Sequence, residues 1–199
     1  VRLFQRALQR GGIGIVHSGR FNPRPRISAV LPRTVGVESE DDLLVFQLYA
    51  DRMFRHGQAT AYDESSDEVL QKALSDQVPQ GCEIVSLSLR EGKISPQPRA
   101  ATVVFQLEDE YLDDRLRRHC RELVDAEELL VVRNRPSKKT RTKDIRGFLE
   151  SVELSGRQVS VRCLIKTEGT VRVNELQEML GLETEKLREP IKRMDVEFE

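Results

Sequence analysis

The sequence predicts an α+β fold with mostly antiparallel sheets and helices packed on one face. Apolar residues recur at helical spacing in some segments and at every second position in others, and the two patterns interleave at short intervals. Hairpin signals join neighbouring alternating runs, which favours antiparallel pairing over the long crossovers of a parallel sheet. With 199 residues, 38% of them apolar, the chain can bury one large or two small cores.

The first element is a helix, with Leu3, Phe4, Ala7 and Leu8 as its apolar stripe and Arg2, Arg6 and Arg10 on another face. Gly11 and Gly12 stop it. No N-cap residue precedes Val1 and there is no initiator Met, so the helix is expected to begin upstream of residue 1, although processing would leave the same start. Ile13 to Val16 is a predicted strand. Gly19 to Arg26 is a predicted loop, because its two prolines remove amide donors and bias their predecessors away from helix. Ile27 to Leu31 and Leu43 to Tyr49 resume the strand pattern. A helix capped by Ser66 carries Val69, Leu70, Ala73 and Leu74 inward. Val85, Leu87 and Leu89 alternate with serines as a half-buried strand.

Gly92 to Pro98 is the expected linker, which divides the chain into a first unit over 1–91, a linker over 92–98 and a second unit over 99–199. In the second unit a strand from Ala100 to Leu107 precedes a helix with Leu112, Leu116, Cys120 and Leu123 inward. A strand at Leu129 to Val132 leads into a basic loop, Arg133 to Lys143, and a helical turn at Asp144 to Leu149. Ser155-Gly156 closes a hairpin between Val152–Leu154 and the alternating run Val159, Val161, Cys163, Ile165. Asn174 caps a helix ended by Gly181, Thr184 opens a short one, and Val196 to Phe198 is a last strand. The two successive β-α-β stretches resemble paired ferredoxin-like units in element order.

The formal charge of −1 conceals strong segregation. Residues 1–35 hold seven arginines and no acid, and residues 115–146 hold 11 basic side chains against 5 acidic ones. Two basic blocks in a near-neutral chain point to polyanion contact on part of the surface, or to ordinary solvated faces. Arginine, whose planar donor fork suits phosphate, outnumbers lysine 24 to 8.

The candidate binding residues are Arg20, Phe21, Asn22, Arg24 and Arg26, with Arg2, Arg6 and His17 beside them. The loop sets one aromatic among three cations on a proline-stiffened segment. It can hold a phosphate backbone while Phe21 stacks on a base, or Phe21 can plug the core and the prolines merely set a turn. The Arg133–Lys143 block is either a phosphate-contacting loop or a solvated one. His17 ends an apolar strand next to the loop and is the one histidine placed to act as a base; a packed histidine is the alternative.

Other classes find little support. No apolar run reaches the roughly 20 residues of a membrane span, and no signal peptide opens the sequence. Cys82, Cys120 and Cys163 are scattered and odd in number, which argues against a disulfide framework and for a cytoplasmic setting. No metal site is expected: the cysteines are far apart, and His119 and Cys120 point about 100° apart on a helix. Neither a nucleophile elbow nor a Gly-x-x-x-x-Gly-Lys loop is present. No cofactor is expected.

Ser18 to Ser28 (Ser-Gly-Arg-Phe-Asn-Pro-Arg-Pro-Arg-Ile-Ser), followed by Gly36-Val-Glu-Ser39, resembles the uncharacterised bacterial radical SAM-linked protein domain, the DUF2344 family. The helix Arg2 to Arg10, Asp144-Ile-Arg146, the hairpin and the closing Lys192 to Glu197 resemble its other landmarks, so the likeness extends over nearly the whole chain. The Phe-Asn-Pro-basic-Pro-basic loop is its most specific part. Where relatives carry glycine before the Phe, this chain has Arg20, which bears on the loop's backbone there. The resemblance implies a protein fused to, or encoded beside, cobalamin-binding radical SAM proteins, often near ribonuclease E/G-type genes, with no assigned reaction. The chain lacks the three-cysteine motif that radical SAM chemistry needs. The expectation is therefore a non-catalytic accessory module that contacts RNA or a ribonucleoprotein beside a radical SAM partner. An adaptor docking an acidic surface of that partner is the alternative, and an enzyme of unknown reaction the third reading.

Overall fold

A computed structural model describes residues 1–19, 21–49, 51, 53–54, 65–135 and 138–199; for residues 134, 135, 138 and 139 it describes the backbone. In chain order the elements are α1 (Arg2–Arg10), β1 (His17–Ser18), β2 (Arg24–Pro25), β3 (Ile27–Ala29), β4 (Val37–Ser39) and β5 (Leu44–Phe46). There follow α2 (Ser66–Ser75), β6 (Pro98–Gln106), α3 (Asp114–Asp125), β7 (Leu130–Arg135) and β8 (Lys138–Asp144). The last are β9 (Leu149–Ser155), β10 (Gln158–Leu164), α4 (Val173–Leu180) and β11 (Ile191–Phe198). The protein is a mixed α+β chain whose described strands form several mostly antiparallel sheets. Among the described residues no helix is long and apolar enough to cross a membrane.

The chain divides into two compact units, one of residues 1–30 and 43–95, the other of residues 31–42 and 96–199. Residues 31–42 pack with the later part of the chain because β4 pairs in parallel with β11, Val37 opposite Ile191. Arg193 secures that join: its guanidinium donates to the Leu31 carbonyl at 2.8 Å and to the Asp42 carboxylate.

In the first unit α1 and α2 place Ala7, Leu8, Leu70 and Leu74 in one apolar cluster with Ile13, Ile15 and Met53. The helices meet closely at Gly11, where a Cβ would stand 3.0 Å from the Ala73 carbonyl oxygen. β3 and β5 pair antiparallel. The segment at 85–89 is not a strand. Its backbone partners are side chains of α2: Gln71 Nε2 donates to the Ile84 and Val85 carbonyls, and Asp67 accepts from the Leu89 amide. Ile84, Leu87 and Leu89 pack on the core while Val85 is exposed, so the Val-Ser-Leu-Ser-Leu alternation does not follow the burial.

The second unit is built on a sheet in the order β4-β11-β6-β10-β9. Apart from the parallel β4 edge, neighbours are antiparallel, and β9–β10 is the hairpin read at Ser155-Gly156. Val103 and Phe105 of β6 and Val159, Val161 and Cys163 of β10 alternate onto one face. There they pack with Leu116, Cys120 and Leu123 of α3 and Leu176 and Leu180 of α4. α4 ends as expected on Gly181 in the left-handed conformation, φ 65°. β11 bulges around Asp195, whose φ of 51° suits a short polar side chain.

One expectation is corrected here. The basic stretch Arg133–Lys143 is not a loop: β7 and β8 form an antiparallel ribbon, with Val131 opposite Lys143 and Val132 opposite Thr142. β8 reads Lys-Lys-Thr-Arg-Thr-Lys-Asp and has no apolar residue to reveal a period of two. Two of the ribbon's described cations are held internally, while Arg141 is exposed. Arg133 makes a bidentate pair with Glu175 at 2.6 and 2.7 Å and also donates to the Thr170 carbonyl. Lys143 donates to the Glu168 carbonyl and stands 4.3 Å from the Phe148 ring centre. Arg146, just beyond, donates to the Val124, Ala126 and Leu149 carbonyls.

Candidate functional site

The segment carrying the sequence-predicted site folds as a tight β1–β2 hairpin, His17 opposite Pro25 and Ser18 opposite Arg24. Gly19 leaves β1 at φ +82°, a conformation that costs glycine no Cβ clash. Pro25 is tolerated because β2 pairs with β1 alone, which leaves no second partner strand in want of its missing N–H. The base of the hairpin is held by a closed cycle of backbone bonds. Val16 donates to the Gln47 carbonyl (2.8 Å), Gln47 to that of Arg26 (3.1 Å), and Arg26 to that of Val16 (2.8 Å). The Arg26 guanidinium adds a bond to Gln47 Oε1 at 2.9 Å.

Beyond that base the tip is open. Phe21 is 106% exposed, so the alternative in which it plugs the core is ruled out. Asn22, Pro23 and Arg24 are exposed as well. Arg20 lies outside the described residues. Arg24 and Arg26 are two apart in extended backbone and so share a face, while His17 and Pro25 take the other. Among the described residues Arg24 makes no ion pair, and Arg26 binds an uncharged amide. The hairpin therefore presents an aromatic ring and cations whose charge is not cancelled.

The structure does not bring every candidate to that tip. His17 is half-buried and its Nδ1 donates to the Ile15 carbonyl at 3.0 Å, with the proton placed by that acceptor. It acts as a local strap away from the Arg24 face. Arg2 and Arg6 sit exposed on α1, a separate element of the same unit; Arg10 on that helix is tied to Gln77.

Sequence reading missed the arginines of α3. With Leu116, Cys120 and Leu123 inward, Arg117, Arg118 and Arg121 point outward, as the helical spacing alone could have shown. The second unit also has an open cleft of about 720 Å³ beside α3, lined by Tyr111, Arg118, His119, Glu122, Glu178 and Lys186 among others. His119 Nε2 donates to the Met179 carbonyl at 2.8 Å, which fixes the ring as part of the α3–α4 packing. His56 lies outside the described residues. Cys163 is buried and its thiol is pushed up to about 12 by desolvation, so it stays protonated and unreactive at neutral pH. Among the described residues no three His, Cys, Asp or Glu side chains converge as metal ligands would.

Fold and site together define a mixed α+β protein with an aromatic-tipped basic hairpin on one unit and an arginine-faced helix on the other. Residues 1–175 match the model of a bacterial family described as "Uncharacterized protein conserved in bacteria (DUF2344)", and the chain belongs to that family. No curated protein and no solved structure matches it.

Proposed function

We propose that the chain is a non-catalytic accessory module that binds single-stranded RNA, free or in a ribonucleoprotein, through the β1–β2 hairpin, and that it works beside a radical SAM protein. The observation that carries this reading is the fully exposed Phe21 at the tip of a hairpin whose base is anchored and whose Arg24 makes no ion pair among the described residues. Burying a phenylalanine contributes about 1.5–3 kcal/mol, which this fold forgoes at Phe21. Bases splayed from a single strand stack on such rings, and guanidinium forks take the phosphates.

The second unit supports the same assignment by contrast. Its β6-α3-β9-β10-α4-β11 order, with the β7–β8 ribbon inserted after α3 and strands arranged β11-β6-β10-β9, supports a ferredoxin-like reading of that unit, the architecture on which some RNA-binding sheets are built. Such sheets stack bases on aromatics of their open face. Here that face carries Thr102, Val104 and Gln106 of β6 and Gln158, Ser160 and Arg162 of β10, none of them aromatic; Val104 is buried, and Arg162 is held by Glu150 and Glu197. The hairpin offers what the sheet does not.

Fluorescence anisotropy of a labelled oligouridylate tests the proposal. Binding should weaken as salt rises, and Phe21→Ala should weaken it about 5- to 150-fold, the equivalent of about 1–3 kcal/mol. Absence of binding at low salt, or binding indifferent to salt, overturns it. The same ring favours a second reading, an adaptor docking an acidic surface of the radical SAM protein, since aromatics and arginines also anchor protein interfaces. Retention of that protein in a pull-down, lost on charge reversal at Arg24 and Arg26 while oligouridylate binding is absent, selects the adaptor.

A further inference from the structure

Outside α3, all but two of the described arginine side chains of the second unit are held within it; Arg141 and Arg188 are exposed and have no side-chain partner among the described residues. Arg33, Arg99, Arg157, Arg162, Arg172 and Arg193 pair with carboxylates; Arg133 pairs with Glu175 and Arg146 is enclosed by carbonyls. On α3 the pattern reverses. Arg115, Arg117, Arg118 and Arg121 are all exposed, and among the described residues none of their side chains makes an ion pair or hydrogen bond.

Nearby acids are otherwise engaged or stand at the helix ends. Asp113 caps α3 by accepting from the Leu116 amide at 2.7 Å, and Glu122 faces His119 Nδ1 at 3.7 Å. Asp114 and Asp125 stand one turn before Arg118 and one turn after Arg121. Between them Arg117, Arg118 and Arg121 form a triangle through i,i+4 and i,i+3 spacings, where like charges destabilise an isolated helix. A helix needs no such triangle to bury Leu116, Cys120 and Leu123, since uncharged glutamines would serve equally well.

From this placement we infer that α3 is itself a contact for the phosphate backbone of single-stranded RNA, independent of the hairpin. The adjacent cleft, which Arg115, Arg118 and Lys186 also line, is the poorer candidate, because Glu110, Asp113, Glu122 and Glu178 line it as well and offset those cations. The outer triangle holds three donor forks on consecutive turns of a rigid element, a geometry suited to successive phosphates. It carries no aromatic, so it adds affinity and salt dependence without reading bases. This inference rests on the reading of the chain as an RNA-binding module, but not on Phe21.

The test uses the full chain, oligouridylate as probe and a salt series. Each phosphate contact adds about 0.7 to the log–log salt slope of a single strand. The combined variant Arg117→Gln, Arg118→Gln, Arg121→Gln should therefore lower the slope by about 2. Lysines at the same three positions should keep it, and circular dichroism should show both variants folded. Phe21→Ala should weaken binding and leave the slope unchanged. An unchanged slope in the glutamine variant overturns the α3 assignment even if Phe21→Ala weakens binding. A lowered slope with Phe21→Ala indifferent upholds α3 and overturns the hairpin reading. Should the wild-type chain bind poly-glutamate with that dependence on the three arginines and leave oligouridylate unbound, α3 is a protein-docking face and the inference falls.

Discussion

Two hairpins of this protein look alike as sequence and behave in opposite ways. Arg24-Pro-Arg26 in the first unit and Arg133–Lys143 in the second are both basic runs beside apolar strands. In the second, Arg133 turns to Glu175 and Lys143 to the Glu168 carbonyl and the Phe148 ring, while Arg141 is exposed. In the first, the base is tied by backbone bonds and the tip keeps Phe21 and Arg24 in solvent. Charge density along the chain therefore says little about available charge. What decides is whether a carboxylate or carbonyl elsewhere in the fold reaches the cation, and Glu175 lies 42 residues beyond Arg133 in sequence.

The largest effect expected of any single change lies in the ribbon. Arg133 and Glu175 have side chains 13% and 6% exposed, so removing one partner leaves a buried charge alone. Glu175→Gln should cost about 3–5 kcal/mol in denaturant unfolding. Replacing both, Arg133→Met with Glu175→Leu, should recover most of that loss, because a well-packed apolar pair often matches a buried ion pair. If the double variant is as unstable as the single one, the pair does more than cancel its own charges, and the contrast between the hairpins is mis-stated.

The same pair should appear in the pH dependence. Burial pushes the Glu175 carboxyl up, but hydrogen bonds from Arg133 and the Arg172 amide outweigh it and hold the group below its ordinary range. Its contribution is fully present above the unfolded-state value of about 4.3 and is lost as pH falls through the lower folded value. Unfolding midpoints of the wild-type chain should fall through that acid window, and more steeply than those of the double variant. Parallel curves would show that other carboxylates, Asp144 among them, carry the acid limb.

Much of the fold was legible because apolar periodicity is a local signal. α1, β6, α3, the β9–β10 hairpin and α4 with Gly181 follow from spacing and stop residues. β8 was hidden because all its residues are polar, and β4 because its partner, β11, lies about 150 residues later. At 85–89 the alternation was present but the segment found side chains of α2 rather than a strand. For the site, the sequence singled out the segment but read it as a loop rather than a hairpin, and it left Phe21 with two possible destinations, between which exposure decided. The α3 arginines were visible at helical spacing yet were counted with the ribbon as one basic block, so the paired and unpaired members were not separated.

The smallest expected effect is also the one that separates the two hairpins most cleanly. A residue that holds a fold together costs stability when truncated, and one kept for a ligand does not. Phe21 touches solvent on all sides and its hairpin is anchored at Val16, Arg26 and Gln47, none of which depends on the ring. Phe21→Ala should therefore change the unfolding free energy by less than about 0.5 kcal/mol, the usual range for exposed positions. A loss of about 3 kcal/mol, typical of a buried aromatic, would mean that the ring finds a packing partner in solution. Its exposure would then no longer argue for a ligand, and the first hairpin would join the second as a structural device.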